Sequence, residues 1–166
     1  MILLPTTVVH VFNAYLVVVW RGVEQAPPVL TAEHPLLSVG YDMFHVMTGV
    51  EVGPIALTVQ SGSEDLQTID GWEIVAEAPF EVATTELDVQ HYELGVEQRF
   101  SIDPGKYTVR ASCNGYDAAM REGAATPGAP PVVSILLSFL PPNGRPGRMI
   151  RNESIHMQAI NRSRVR

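Results

Sequence analysis

Apolar and polar residues alternate with a period of two over most of this chain, the pattern of strands with one face inward and one face outward. The clearest case is residues 100–117. Asp103-Pro104-Gly105 opens it with a turn and Asn114-Gly115 closes it. Between them Tyr107, Val109, Ala111 and Cys113 take one face, and Lys106, Thr108, Arg110, Ser112 and Asn114 take the other. Residues 6–21 read as one long strand, apolar on both faces, and so either central or burying opposite sides at its two ends. Residues 41–47, 55–60, 72–82 and 86–91 follow as shorter strands, separated by turn residues and by a polar loop at 61–71. In residues 72–82, Trp72, Ile74, Ala76, Ala78, Phe80 and Val82 form the inner face, opposite Glu73, Glu77 and Glu81. Pro79 cannot donate to a sheet ladder, which places this strand at an edge or a bulge.

Residues 31–38 read as loop, and residues 118–122 as a helical turn. Residues 132–140 form the last strong strand, with Val133, Ile135, Leu137 and Phe139 toward the core. The pattern predicts an all-β domain, an antiparallel β-sandwich of about seven strands or a flattened barrel. The domain spans residues 1–143, and residues 144–166 follow as an irregular, Arg-rich C-terminal tail.

Composition agrees with this reading. The 166 residues include 13 Gly and 13 Pro, which favours many turns over long helices, and an apolar share of 46% suits a packed core. A single cysteine excludes an internal disulfide framework, and Cys113 lies on an apolar strand face where a thiol packs as a small hydrophobe. A cytoplasmic setting is expected. The first apolar run has no preceding basic residue and is broken by His10 and Asn13, a poor match to a signal peptide or membrane span.

Charge divides the chain more sharply than the net −7 suggests. Residues 1–144 carry 17 acidic and 5 basic side chains, and residues 145–166 carry six Arg and one Glu. The acidic body disfavours nucleic acid, whose phosphates demand cations. The same charge suits a basic protein partner. Glu73, Glu77 and Glu81 are the candidate acidic docking residues, although three glutamates on one strand face also discourage strand-to-strand aggregation. Arg148 and Arg151 are candidate contacts from the tail, toward a partner or toward an acidic neighbouring copy in a homo-oligomer.

No phosphate loop, zinc-type Cys pairing, His-Glu-x-x-His or nucleophile elbow occurs. His45 and His91 sit at inward strand positions, where a hydrogen-bonded core histidine is the plainer reading than a metal site with Asp42 or Asp88. No catalytic residue, metal or cofactor is expected.

Three stretches together resemble a known group. They are residues 48–53 (Thr-Gly-Val-Glu-Val-Gly), residues 71–75 (Gly-Trp-Glu-Ile-Val), and Pro104-Gly105-Lys106-Tyr107-Thr108-Val109-Arg110 leading to Asn114-Gly115-Tyr116-Asp117. Their order is similar to that in small bacterial β-sandwich proteins common in actinomycetes, which in shape resemble competence-associated nuclease inhibitors. The likeness spans residues 8–140. Tyr116 stands where the group has Arg, and residues 132–140 lack its Glu-x-Tyr-Leu…Trp-Pro ending. The resemblance implies a sandwich fold and binding rather than catalysis. The expected function is a non-catalytic interaction protein of the immunity or nuclease-inhibitor type. A structural subunit of an assembly is the alternative, and a carboxylate- or His-based enzyme or sugar-binding module is the third reading.

Overall fold

The computed structural model describes residues 1–22, 32–33, 35–62, 69–91, 95–122 and 128–164. Across these residues the alternating segments become twelve strands. The first six are β1 (Ile2–Phe12), β2 (Tyr15–Trp20), β3 (Ala32–Glu33), β4 (Leu37–Val39), β5 (Met43–Met47) and β6 (Val52–Ser61). The others are β7 (Ile74–Val82), β8 (Glu86–His91), β9 (Gly95–Ser101), β10 (Gly105–Asn114), β11 (Ser134–Leu140) and β12 (Arg148–Asn152). Two helices, α1 (Tyr116–Glu122) and α2 (Ile155–Arg164), complete the described elements.

The strands form one hydrogen-bonded network in the order β12-β7-β10-β11-β6-β1-β2-β5-β4-β3, with β8 on β2 and β9 on β8. β1 and β2 register only at Phe12 and Tyr15, so the network bends there into two six-stranded halves. Their inner faces meet through aromatic rings. Phe44 of β5 lies 5.1 Å from Phe80 of β7 and 6.2 Å from Phe139 of β11, and Phe100 of β9 lies 5.8 Å from Phe139. These are edge-on and tilted contacts, the geometry that ring quadrupoles favour. Val109, Ala111 and Cys113 of β10 are buried, as are Val133 just before β11 and Ile135, Leu137 and Phe139 within it, as their alternation requires.

All-β architecture holds, but about seven strands is too few, and the network is not wholly antiparallel. β11 runs parallel to β6, with Ile135 in register with Leu57. The expected long strand at 6–21 is broken because Asn13 and Ala14 both adopt left-handed backbone, φ 56° and 65°. Two such residues make the tight hairpin turn that matches strand twist. Asn visits that region readily and Ala does not, so the sequence signal is half present. The supposed loop at 31–38 supplies β3 and β4, and the 100–117 stretch breaks after Ser101, where β9 ends and β10 has yet to begin.

The C-terminal residues are not an irregular tail. β12 extends the sheet beyond β7, with Arg148 in register with Glu77 and Asn152 with Ile74, and Met157 of α2 is fully buried. β12 reaches only to Glu77, so among the described residues no strand pairs with β7 on that side at Pro79. Its missing N–H costs no ladder bond there.

Candidate protein-binding surface

The three outward glutamates of residues 73–81 do share a face, but the fold uses them differently. The Glu73 carboxylate accepts hydrogen bonds from the backbone N–H groups of Gly115 (2.9 Å) and Tyr116 (3.1 Å), where α1 begins. The Glu73 N–H in turn donates to Asn114 Oδ1 at 2.7 Å. Glu77 is buried. It accepts from Arg110 Nε at 2.8 Å and from Arg110 Nη2, and Arg148 approaches its other oxygen at 3.4 Å. A carboxylate held by two guanidiniums is a structural ion pair, and it explains how a charged residue can be buried on the outer face. Glu81 is exposed, and its carboxylate makes no ion pair or hydrogen bond among the described residues.

Arg148 and Arg151 are engaged within the chain. Arg148 reaches Glu77, while Arg151 donates to Glu153 at 2.6 Å and lies 3.7 Å from Asp70. The segment behind them is clamped through Asp117. Its carboxylate accepts from Ser154 Oγ (2.5 Å), Ile155 N–H (2.9 Å) and His156 N–H (3.3 Å), and contacts His156 Nδ1 at 3.0 Å. Ser154 itself caps α2 by accepting from Met157 N–H at 3.0 Å. Burial alone would raise the Asp117 carboxyl, but these hydrogen bonds outweigh it and hold it at about 2.

His45 is buried beside the Tyr15 ring at 5.9 Å, and burial lowers its pKa below the ordinary 6.5. Asp88 is bound by Arg99 Nε at 2.6 Å, and the His91 side chain lies outside the described residues. Among the described residues no group of three or more His, Cys, Asp or Glu side chains is placed to hold a metal ion.

A concave surface lies at the end of the molecule where β7 finishes and β10 starts. After β11 the chain runs to β12 on the far side of β7, and Asn143 N–H donates to Thr108 Oγ1 at 3.2 Å as it goes. Between this crossing segment and the sheet is a cleft of about 640 Å³, with Pro79, Glu81, Lys106 and Tyr107 on the sheet side and Pro142, Arg145 and Pro146 on the crossing side. Gly40 and Tyr41 line it as well. A second hollow of about 590 Å³ adjoins it and shares Lys106, Tyr107 and Pro142.

Tyr41 is 75% exposed and leans on Trp20, ring centroids 5.1 Å apart. Trp20 is fixed from two sides: its indole Nε1–H donates to the Glu81 carbonyl at 3.2 Å, and its backbone N–H to the Asp42 carbonyl at 2.9 Å. An exposed Tyr backed by a half-buried Trp, at the edge of a cleft, is the kind of aromatic group found at interface centres. Neither residue stood out in the sequence as a binding residue. Tyr41 fell into an inward strand pattern, and no spacing rule links positions 20 and 41. The only local signal was Gly40, a turn former that lets Tyr41-Asp42 project.

No known protein-family model matches the chain, and no curated protein sequence matches it. Among solved structures, the chain is similar to the crystal structure of ComJ from Bacillus subtilis, an inhibitor of the DNA-degrading activity of NucA. The TM-score is 0.58 with 11% identity, covering 84% of this chain and 98% of that one. At that identity the likeness shows a shared fold.

Proposed function

We propose that this protein is a non-catalytic binding protein of the nuclease-inhibitor or immunity type, and that its partner is a nuclease with a basic surface. The observation that carries this reading is the fold shared with an inhibitor over most of both chains. The acidic body supports it, because complementary charge speeds encounter with a basic protein and disfavours binding to the nuclease's own substrate. Glu73 and Glu77 serve in this reading as supports, and Glu81 as the member of the series that faces the partner.

Adding the purified protein to an extract of its native cells tests the proposal. Degradation of linear double-stranded DNA should fall as the protein approaches the nuclease in amount, and recover as salt is raised. Degradation that continues unchanged at large excess and low salt contradicts it.

A further inference from the structure

We propose that the outer face of β1, β6 and β11 is a docking surface for a second copy of this chain, which packs on it face to face about a two-fold axis. These three adjacent strands contain no Asp, Glu, Lys or Arg, in a chain whose charged share is 17%. On their outer face Val8, Ala56 and Ser134 stand in one row across the strands, and Thr58 and Leu136 in the next, with Thr6 beside Thr58. The alternate residues Val9, Ile55, Leu57 and Ile135 are buried, so the uncharged rows are what the strands leave outward. Val8 is 51% exposed, and Ile2 at the end of the same face is 55% exposed. Charge is depleted at the centre of protein interfaces in the same way.

Charge selects the occupant. The chain carries a net −7, so two copies repel wherever their acids meet, and a face with no ionisable group except His10 at its margin escapes that cost. A basic partner finds no carboxylate on it. Drying the face strands few polar groups, because the Thr6 and Thr58 hydroxyls bond each other at 2.8 Å and Gln60 Nε2 reaches Ser138 Oγ at 3.4 Å. Pairing through the free edge of β1 is opposed by Pro5 and by Glu97, whose carboxylate accepts from the His10 N–H at 3.4 Å. Three strands about 4.8 Å apart and about 30 Å long offer about 450 Å² per copy, near the lower limit of a specific interface, which sets the affinity in the micromolar range. The pairing does not depend on the inhibitor activity.

Sedimentation of the full chain over a range of concentrations tests the proposal. A monomer–dimer equilibrium should appear in the micromolar range and tighten as salt rises, because screening removes the repulsion between acidic copies. Docking through the Arg-rich C-terminal segment would weaken with salt instead. Val8→Lys and Ala56→Lys should each weaken the dimer by about a hundredfold, since each copy brings an unpaired charge to the shared face. Tyr41→Lys, a like change at a residue 75% exposed and outside these strands, should leave the affinity within about twofold. The two face variants lie on different strands, and their urea midpoints separate loss of the dimer from loss of the fold. A chain that stays monomeric up to about 1 mM, a dimer that either folded face variant leaves intact or that salt dissociates, or an equal loss from Tyr41→Lys overturns the proposal. So does a monomer whose suppression of DNA degradation is abolished by Val8→Lys, since the face then belongs to the nuclease.

Discussion

Gly115 joins β10 to α1 with φ 81°, and a Cβ at that position would lie 2.2 Å from the Val132 carbonyl oxygen. The obstacle is backbone, which cannot swing aside as a side chain can. Gly115→Ala should therefore cost at least about 2 kcal/mol, seen as a lower urea midpoint, from left-handed strain with a clash added. Asp117 acts nearby through charge. A carboxyl lowered in the folded state contributes stability that is complete above its unfolded pKa, near 3.8, and is lost as pH falls toward its folded value of about 2. Asp117→Asn should flatten that acid limb and cost about 1 kcal/mol at neutral pH, the worth of a helix cap. Faster amide exchange in α2 is the direct readout. His45 behaves oppositely in charge but not in sign. Burial lowers its pKa, so the folded state resists the proton that the unfolded chain accepts below 6.5. Its stability contribution is complete above that value and declines as pH falls, and His45→Gln should remove that decline from the unfolding midpoints.

At the scale of elements, the outer face of β7 and β10 is held by Glu77, Arg110 and Arg148, and the three are not equivalent. Glu77→Ala removes the buried carboxylate that Arg110 and Arg148 share and should cost about 2–3 kcal/mol, whereas Arg148, 45% exposed, should cost below about 1 kcal/mol when cut to Ala. Urea denaturation of the two variants distinguishes this ion pair from a solvated strand face, on which both changes would be nearly neutral. The alternation from Tyr107 to Cys113 was legible because a strand face follows from local periodicity alone. Glu73, Glu77 and Glu81 were legible as a shared face for the same reason. Their separate fates were not, since these depend on β10 lying beside β7 and on Gly115 reaching Glu73, contacts more than thirty residues apart in sequence. β12 escaped notice because its pattern is weak and its arginines look solvated. It becomes a strand by pairing with β7, which also draws Arg148 onto Glu77. The hairpin at Asn13-Ala14 was hidden by an alanine in a conformation alanine seldom takes.

For the whole molecule, the bend at the β1–β2 hairpin lays two six-stranded halves against each other, burying the aromatic core and leaving loops and strand ends to form the cleft. The division of charge then takes on a structural meaning. The basic C-terminal segment is partly spent on the protein's own acids, through Arg148 with Glu77 and Arg151 with Glu153 and Asp70. What lines the cleft at the Tyr41 end is mixed, with Tyr41 and Glu81 set beside Lys106 and Arg145. The most direct measurement is the rate of double-stranded DNA degradation in native extract, titrated with the purified protein at low and at high salt. Suppression that saturates near stoichiometric amounts at low salt and weakens at high salt is the predicted result. Degradation indifferent to the protein at any excess and any salt would contradict it.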